Sequence, residues 1–312
     1  MQTADKTIGL LGVPLGFGAG TLGSDLGVEA MRISNVRGMT LADHVIALGY
    51  GFKDHGDVPI VRPEGITTEN GIKHYGAVLN SFRNIASSLD SVLQEGHMPI
   101  ILGGDHSIAI ATFSAISNFY RKGGSEVGLI WFDAHADINT PETSPSGNIH
   151  GMPLAALLGL GDDAIASLGG SRPKLDPTYF AHIGARDVDT GERQTVHDLG
   201  LRDQFFTMSD IDSRGMAACV ADAIAIASKA PGGFAVTFDI DMIDPRFAPG
   251  SGTLVRGGTT YREAHLALEM IAANGGMISF EMVEVNPLLD QNNITVELAV
   301  ELILSVLGKT IL

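Results

Sequence analysis

The chain has 312 residues, 45% of them hydrophobic, and a formal net charge of −16. So acidic a surface excludes nucleic acid and anionic membrane as natural partners, and no apolar run reaches the roughly 18 residues of a membrane span. A single cysteine, Cys219, excludes an intrachain disulfide framework and suits a cytoplasmic protein.

The first residues, Met1 onward, lack a basic segment followed by a clean apolar block. The apolar run after them is broken by Gly9, Gly12 and Pro14, so it reads as a first strand, 7–13, and not as a leader. The glycine-rich loop 14–27 has neither Gly-x-Gly-x-x-Gly nor a following Lys-Ser/Thr, so it is not a phosphate loop. Residues 44–50 read as a second strand. Over 68–95, Ile72, Tyr75, Leu79, Phe82, Leu89 and Val92 recur at helical steps, and Gly96 closes the helix. A third strand, 99–102, runs into Gly103-Gly104-Asp105-His106, and a helix follows over 107–121. A fourth strand, 127–132, ends in Asp133-Ala134-His135-Ala136-Asp137. Strands five and six fall at 179–183 and 204–208. An Ala/Ile-rich helix over 215–229 holds Cys219 as a small core residue. The seventh strand starts at Phe234 and ends at Asp241. Thr260-Tyr261-Arg262-Glu263 is a capping box that opens a helix to Ala273. An eighth strand covers 277–283, and a last helix 293–307. Strands alternating with helices mean a parallel sheet covered on both faces. With no repeat, charge block or linker, residues 1–312 read as one domain. A closed barrel ranks second, because the intervals between strands are too irregular.

The chemistry gathers at strand ends. In an extended chain, alternate residues point to one face, so Asp133, His135 and Asp137 converge at the carboxyl end of a strand. Open parallel sheets keep their sites there. Taken alone, this is an ordinary solvated loop with alternating charges. It has company: strand three leads to Asp105 and His106, and strand seven to Asp239 and Asp241. Carboxylates and imidazoles without thiolates suit a hard or borderline divalent ion such as Mn²⁺. So many ligands exceed what one ion with an open position can use. They suit two ions with bridging carboxylates, which can hold hydroxide at neutral pH.

Gly103-Gly104-Asp105-His106-Ser107, Asp133-Ala134-His135-Ala136-Asp137, Ser146-Gly147-Asn148-Ile149-His150-Gly151 and Phe238-Asp239-Ile240-Asp241, in this order, resemble the ureohydrolase superfamily and, within it, the arginase family. The resemblance runs from the first strand to Glu284-Val285-Asn286-Pro287. It implies a single three-layer α/β/α domain around a central eight-stranded, mainly parallel sheet, with two Mn²⁺ ions at its edge. One ion would take His106, Asp133, Asp137 and Asp239. The other would take His135, Asp133, Asp239 and Asp241, with Asp133 and Asp239 bridging. His150, by itself a loop histidine, resembles a proton shuttle. Glu284, by itself a solvated strand end, resembles the carboxylate that pairs with a guanidinium. Asp137 would pass a proton to the leaving amine.

The segment 139–148 bears on the substrate. By the same resemblance Asn139 and Ser146, helped by Ser144 and Asn148, face an α-carboxylate. Asp189 faces an α-ammonium, and Thr253 helps shape the substrate site. Agmatinases lack the Ser-Gly-Asn-x-His-Gly run. The reaction implied is L-arginine plus water to L-ornithine plus urea, by attack of a hydroxide held between the metals. An agmatinase-like or guanidino-acid hydrolase, or a non-catalytic metal-binding regulator, are the alternatives. The family often assembles as trimers or hexamers. Glu281, Asp187 and Glu192 read as supporting or interface acids. His44, His55, His74, His97, His182, His197 and His265 have no partnered motif. The sequence departs from the family at Thr21-Leu22-Gly23, where many arginases carry Arg-Arg-Gly, at Gly27-Val28, where many carry Gly-Pro, and at Arg256, where an apolar residue is expected. These places bear on the substrate mouth and subunit contacts, and not on the metal ligands.

Overall fold

Eight strands form one sheet in the order β2-β1-β5-β10-β9-β6-β7-β8, and every neighbouring pair is parallel. In chain order these are β1 (Thr7–Val13), β2 (Gly51–Asp57), β5 (Met98–Gly103), β6 (Gly128–Phe132), β7 (Phe180–Ile183), β8 (Phe205–Phe206), β9 (Phe234–Asp239) and β10 (Met277–Val283). This computed structural model describes residues 6–170 and 172–312. Residues 1–5, part of the start read above as no leader, lie outside them. Among the described residues no helix is long and apolar enough to cross a membrane.

Strand alternation builds two cores, one on each face. Ile8, Leu10, Ile100, Leu102, Ile130, Phe132, Val236 and Phe238 enter one core. It is closed by α1 (Asp25–Ile33), α9 (Met216–Ala227), α10 (Tyr261–Asn274) and α11 (Ile294–Val306). The alternate residues Leu11, Val13, Ile101, Leu129, Trp131 and Ala235 enter the other, under α3 (Tyr75–Gln94) and α4 (Ala109–Lys122). Burial on both faces explains why the central strands read as unbroken apolar runs. The capping box at Thr260 forms with Glu263, and Gly275 ends α10 in a left-handed cap.

Four of the sequence expectations are corrected. Residues 44–50 are not a strand. Thr40 and Asp43 make a reciprocal capping box that opens α2 (Leu41–Ala47), and Val45 packs inward from it. The second strand is β2, a polar edge strand bearing Lys53, Asp54 and His55, which a search for apolar runs passes over. The helix expected over 68–95 starts only at Tyr75. Asn70 and Gly71, both at positive φ, turn a small hairpin between β3 (Thr68–Glu69) and β4 (Ile72–Lys73). Asn-Gly is the sequence of such a turn. The sixth strand shortens to Phe205–Phe206, because Thr207 caps α8 (Met208–Arg214) through Asp210. The seventh ends at Asp239, and Ile240–Met242 is a 3₁₀ turn.

Strand β5 ends where the glycine-rich loop crosses it, and the crossing needs bare backbone. A Cβ on Gly104 would lie 1.9 Å from the carbonyl oxygen of Leu15. Gly104→Ala should therefore cost stability at the upper end of the about 1–3 kcal/mol typical of overpacking. Urea denaturation measures it, and an unchanged midpoint would contradict the close approach.

Candidate active site

The four central strands β5, β10, β9 and β6 lie side by side, and because all are parallel their carboxyl ends share one edge. Three of them finish with the same local device. Asp105, Asp133 and Asp239 each turn a carboxylate oxygen, Oδ1, back to accept the backbone N–H two residues on, from Ser107, His135 and Asp241 at 3.1, 2.7 and 2.8 Å. Short polar side chains favour such turns. The turn fixes one oxygen and aims the other.

Asp133, His135 and Asp137 do meet, but by a different route from the pleat of an extended chain. Strand β6 stops at Phe132, the turn at Asp133 redirects the backbone, and Asp137 takes φ 51°. Glu284, just past β10, takes φ 62°. Left-handed backbone at non-glycine residues costs on the order of 1–2 kcal/mol each and gathers at functional sites.

His106 stands at the centre. Its Nδ1 lies 3.0 Å from Asp133, 3.2 Å from Asp137 and 3.2 Å from Asp239, in each case from Oδ2. Among the described residues this buried nitrogen has no hydrogen-bond partner. Its Nε2 meets the hydroxyl of Thr237 at 2.9 Å. Thr237 faces the buried carboxylate of Glu281, which also accepts from Thr112 at 2.7 Å. The His106 ring stacks on Trp131 with centroids 4.2 Å apart, and the Trp131 indole donates to Asp133 Oδ2 at 3.0 Å. Beside this group, His135 Nδ1 lies 3.3 Å from Asp133 Oδ1 and 3.2 Å from Asp241 Oδ2. Asp241 is held by Ala134 N–H at 3.3 Å and by the Thr253 hydroxyl at 2.8 Å.

The charges do not balance within the protein. Burial and then the neighbouring Asp133 push the Asp137 carboxyl well above its usual range, and burial with Asp241 and Asp133 does the same to Asp239. Burial opposes charge on His106 and His135, but the carboxylates around them win and raise both imidazoles. Two donor clusters result, His106–Asp133–Asp137 and Asp133–His135–Asp241, and they share Asp133. Divalent cations fit this set: they supply the missing positive charge, and the orphaned Nδ1 of His106 gains a partner.

Above the clusters opens a cleft of about 230 Å³. Its floor includes His135, Asp137 and Asp239, with His150 and Thr253 beside them. Asn139, Ser144, Ser146 and Asn148 line one wall, and Asp187, Asp189 and Glu192 complete it. Asp189 caps α7 (Thr190–Asp198) in a capping box with Glu192, whose carboxyl burial raises to about 7. Asn139 joins the two walls: its Nδ2 donates to Asp189 at 2.8 Å, and its Oδ1 accepts from Thr143 at 2.8 Å. Ser144 and Ser146 accept backbone N–H groups of Gly147 and Asn148, which leaves their hydroxyl protons free to donate.

Glu284 is not brought to the cleft wall. It is buried, and its Oε1 accepts from His106 N–H at 2.9 Å and lies 3.3 Å from His150 Nδ1. Lys73, from the hairpin, went unnoticed in the sequence; its Nζ donates to Asn148 Oδ1 at 3.0 Å. Trp131 and Thr237 were missed too, since they look like ordinary strand residues. Asp105 supports the loops: it accepts Gly18 N–H at 2.7 Å, and burial with the nearby Glu284 raises its carboxyl to about 6.

Paired donor clusters at the carboxyl edge of a parallel α/β sheet, under a polar cleft, define a binuclear metallohydrolase site. A model of the Arginase family matches residues 6–308. The arginase of Bacillus subtilis (strain 168) is 42% identical over 308 residues, 99% of this chain and all of that protein. The Bacillus caldovelox arginase structure, native at pH 5.6, superposes with a TM-score of 0.91 at 40% identity, covering 98% of this chain and 100% of that one. An Entamoeba histolytica arginase in complex with L-ornithine gives 0.87 at 27% identity, covering 99% and 100%. The chain belongs to the arginase family.

The contact with Thr237 presents the Nδ1 lone pair of His106 to the carboxylate cluster, because it leaves the ring proton on Nε2. Thr237→Val should keep the fold but weaken metal binding by about 10–100-fold, the usual effect of losing such a support. Competition with a chelator reads it, and Thr237→Ser should restore affinity. Equal affinity in Thr237→Val would show that the contact does not set the tautomer.

Proposed function

We propose that the chain hydrolyses L-arginine to L-ornithine and urea with two Mn²⁺ ions. The observation that carries this reading is the cleft itself. Neutral donors on one wall and Asp189 on the other suit the carboxylate and ammonium of an amino acid, and the donor clusters lie below. When bound, the ions would lower the pKa of water and orient it for attack. His106, Asp133, Asp137 and Asp239 would hold one ion, and His135, Asp133, Asp239 and Asp241 the other.

The chain's own groups would do the rest. Ser144, Ser146 and Asn148 would donate to the α-carboxylate. Asn139 would keep Asp189 turned toward the α-ammonium, and Thr253 would hold Asp241 in place. A guanidinium reaching the floor could take the place of the His150 imidazole on Glu284, a planar pair that fits two parallel hydrogen bonds. Asp137 would carry a proton to the leaving amine. His150 would exchange protons with solvent, since it lines the cleft and also touches Glu284. Burial lowers its basicity, but the contact with Glu284 more than offsets this and raises its pKa. We further infer a cytoplasmic enzyme in which residues 1–312 act as one catalytic domain, and which assembles as a trimer or hexamer as the family resemblance implies.

Urea release tests the substrate assignment. Agmatine lacks the α-carboxylate and would leave the donors unpaired, at about 1–3 kcal/mol each. Arginine should therefore be preferred by roughly 10²–10⁴-fold in kcat/KM. Ser144→Ala combined with Ser146→Ala should cut arginine turnover steeply and leave any agmatine turnover, which needs no carboxylate donors, nearly unchanged. Equal use of both substrates by the wild type would favour an agmatinase-like enzyme instead.

The shuttle role is tested separately. His150→Asn should retain metal and lose activity by about 10²–10⁴-fold, the range for acid–base groups. Loss of metal together with activity would make His150 structural.

A further inference from the structure

A second group of ligand-type side chains lies away from the cleft. His55 stands on the edge strand β2, and His97 immediately precedes β5, at the opposite end of that strand from Asp105 and His106. Strand β1 runs between them. The two imidazoles meet across it because Gly9 offers no side chain there: a Cβ on Gly9 would lie 3.0 Å from His97 Cβ and 3.3 Å from His55 Nε2. His55 Nε2 and His97 Nδ1 are 3.1 Å apart, and Glu95 Oε2, at the end of α3, lies 3.6 Å from His97 Nδ1. All three ligand atoms fall within 4.8 Å of one another.

Two of these three spacings are close to those of a coordination polyhedron. Ligand bonds of about 2.0–2.1 Å at tetrahedral angles place neighbouring donor atoms about 3.3–3.4 Å apart. The two observed separations lie on either side of that value. Two imidazoles and one carboxylate, with a fourth position open to solvent, form a ligand set that zinc takes. The set also differs from the carboxylate-rich catalytic clusters, which suit harder ions. Both histidines are half-buried and Glu95 is exposed, so an ion can enter. Lys53 competes: its Nζ lies 2.6 Å from Glu95 Oε2.

We propose that His55, His97 and Glu95 form a separate site for Zn²⁺ or a similar borderline divalent ion, which ties the edge strand β2 to the end of α3 and the start of β5. An ion that binds only the folded chain raises its melting temperature.

The test uses full-length protein saturated with Mn²⁺ and dialysed against Zn²⁺. Zinc entering the catalytic clusters cancels when wild type and variants are compared. Wild type should hold one more zinc per chain than His55→Asn or His97→Asn, and its Tm should rise further with zinc. Glu95→Gln, an exposed change that removes the ligand charge, should weaken the extra site, and Lys53→Met should tighten it. Manganese content and urea release should be the same in all of them. Equal zinc uptake by wild type and either histidine variant would overturn the site, as would unchanged affinity in both Glu95→Gln and Lys53→Met.

Discussion

The structure turns on one electrostatic constraint: Asp133, Asp137, Asp239 and Asp241 are buried together around two imidazoles. Carboxylates that close cannot all stay ionised unless positive charge joins them. The fold makes the problem by its topology. Three of the strands that supply these groups and His106, β5, β9 and β6, belong to the central four and end at one edge. It also restricts the solution. Side-chain oxygens fixed by turns at Asp133 and Asp239 can move little, so cations of the right size must come to them.

The surroundings serve the same constraint. Trp131 presses on His106 and donates to Asp133, and the Thr237–Glu281–Thr112 chain grips His106 from below. Left-handed backbone at Asp137 and Glu284 aims their carboxyl groups inward at a local cost. The cleft then adds groups of another kind. Neutral donors stand beside the acids Asp187, Asp189 and Glu192, and Asn139 links the two groups through Asp189. Charge is concentrated on the floor and sparse on the donor wall, a division that suits a substrate with reactive and recognition ends.

Much of this was legible in the sequence. Buried strands of a parallel sheet are apolar runs, and their ends stand out when Asp and His follow directly, as after Phe132 and Phe238. What was not legible had specific causes. Strand β2 is polar because it lies at an edge, so no apolar run marks it. The segment 44–50 looked like a strand because Val45, Ile46 and Leu48 cluster, while the capping box at Thr40 and Asp43 was overlooked. Asn70-Gly71 signalled a turn but lay inside a helical apolar period. The convergence of Asp133, His135 and Asp137 was expected for the wrong reason, since a turn and a left-handed residue bring it about and not a pleat. Glu284 by itself reads as a solvated strand end, and its burial beside His150 depends on contacts between loops far apart in sequence. His55 and His97 carried no motif because they meet across a strand.

The proposed ligand set shares Asp133 between two ion sites. Metal-free protein titrated with Mn²⁺, with bound metal measured directly, tests it most directly. Two ions per chain are expected in the wild type, with loss of both sites in Asp133→Asn and loss of one in Asp241→Asn. A single ion per chain at saturation, or a full site retained in Asp133→Asn, would contradict it.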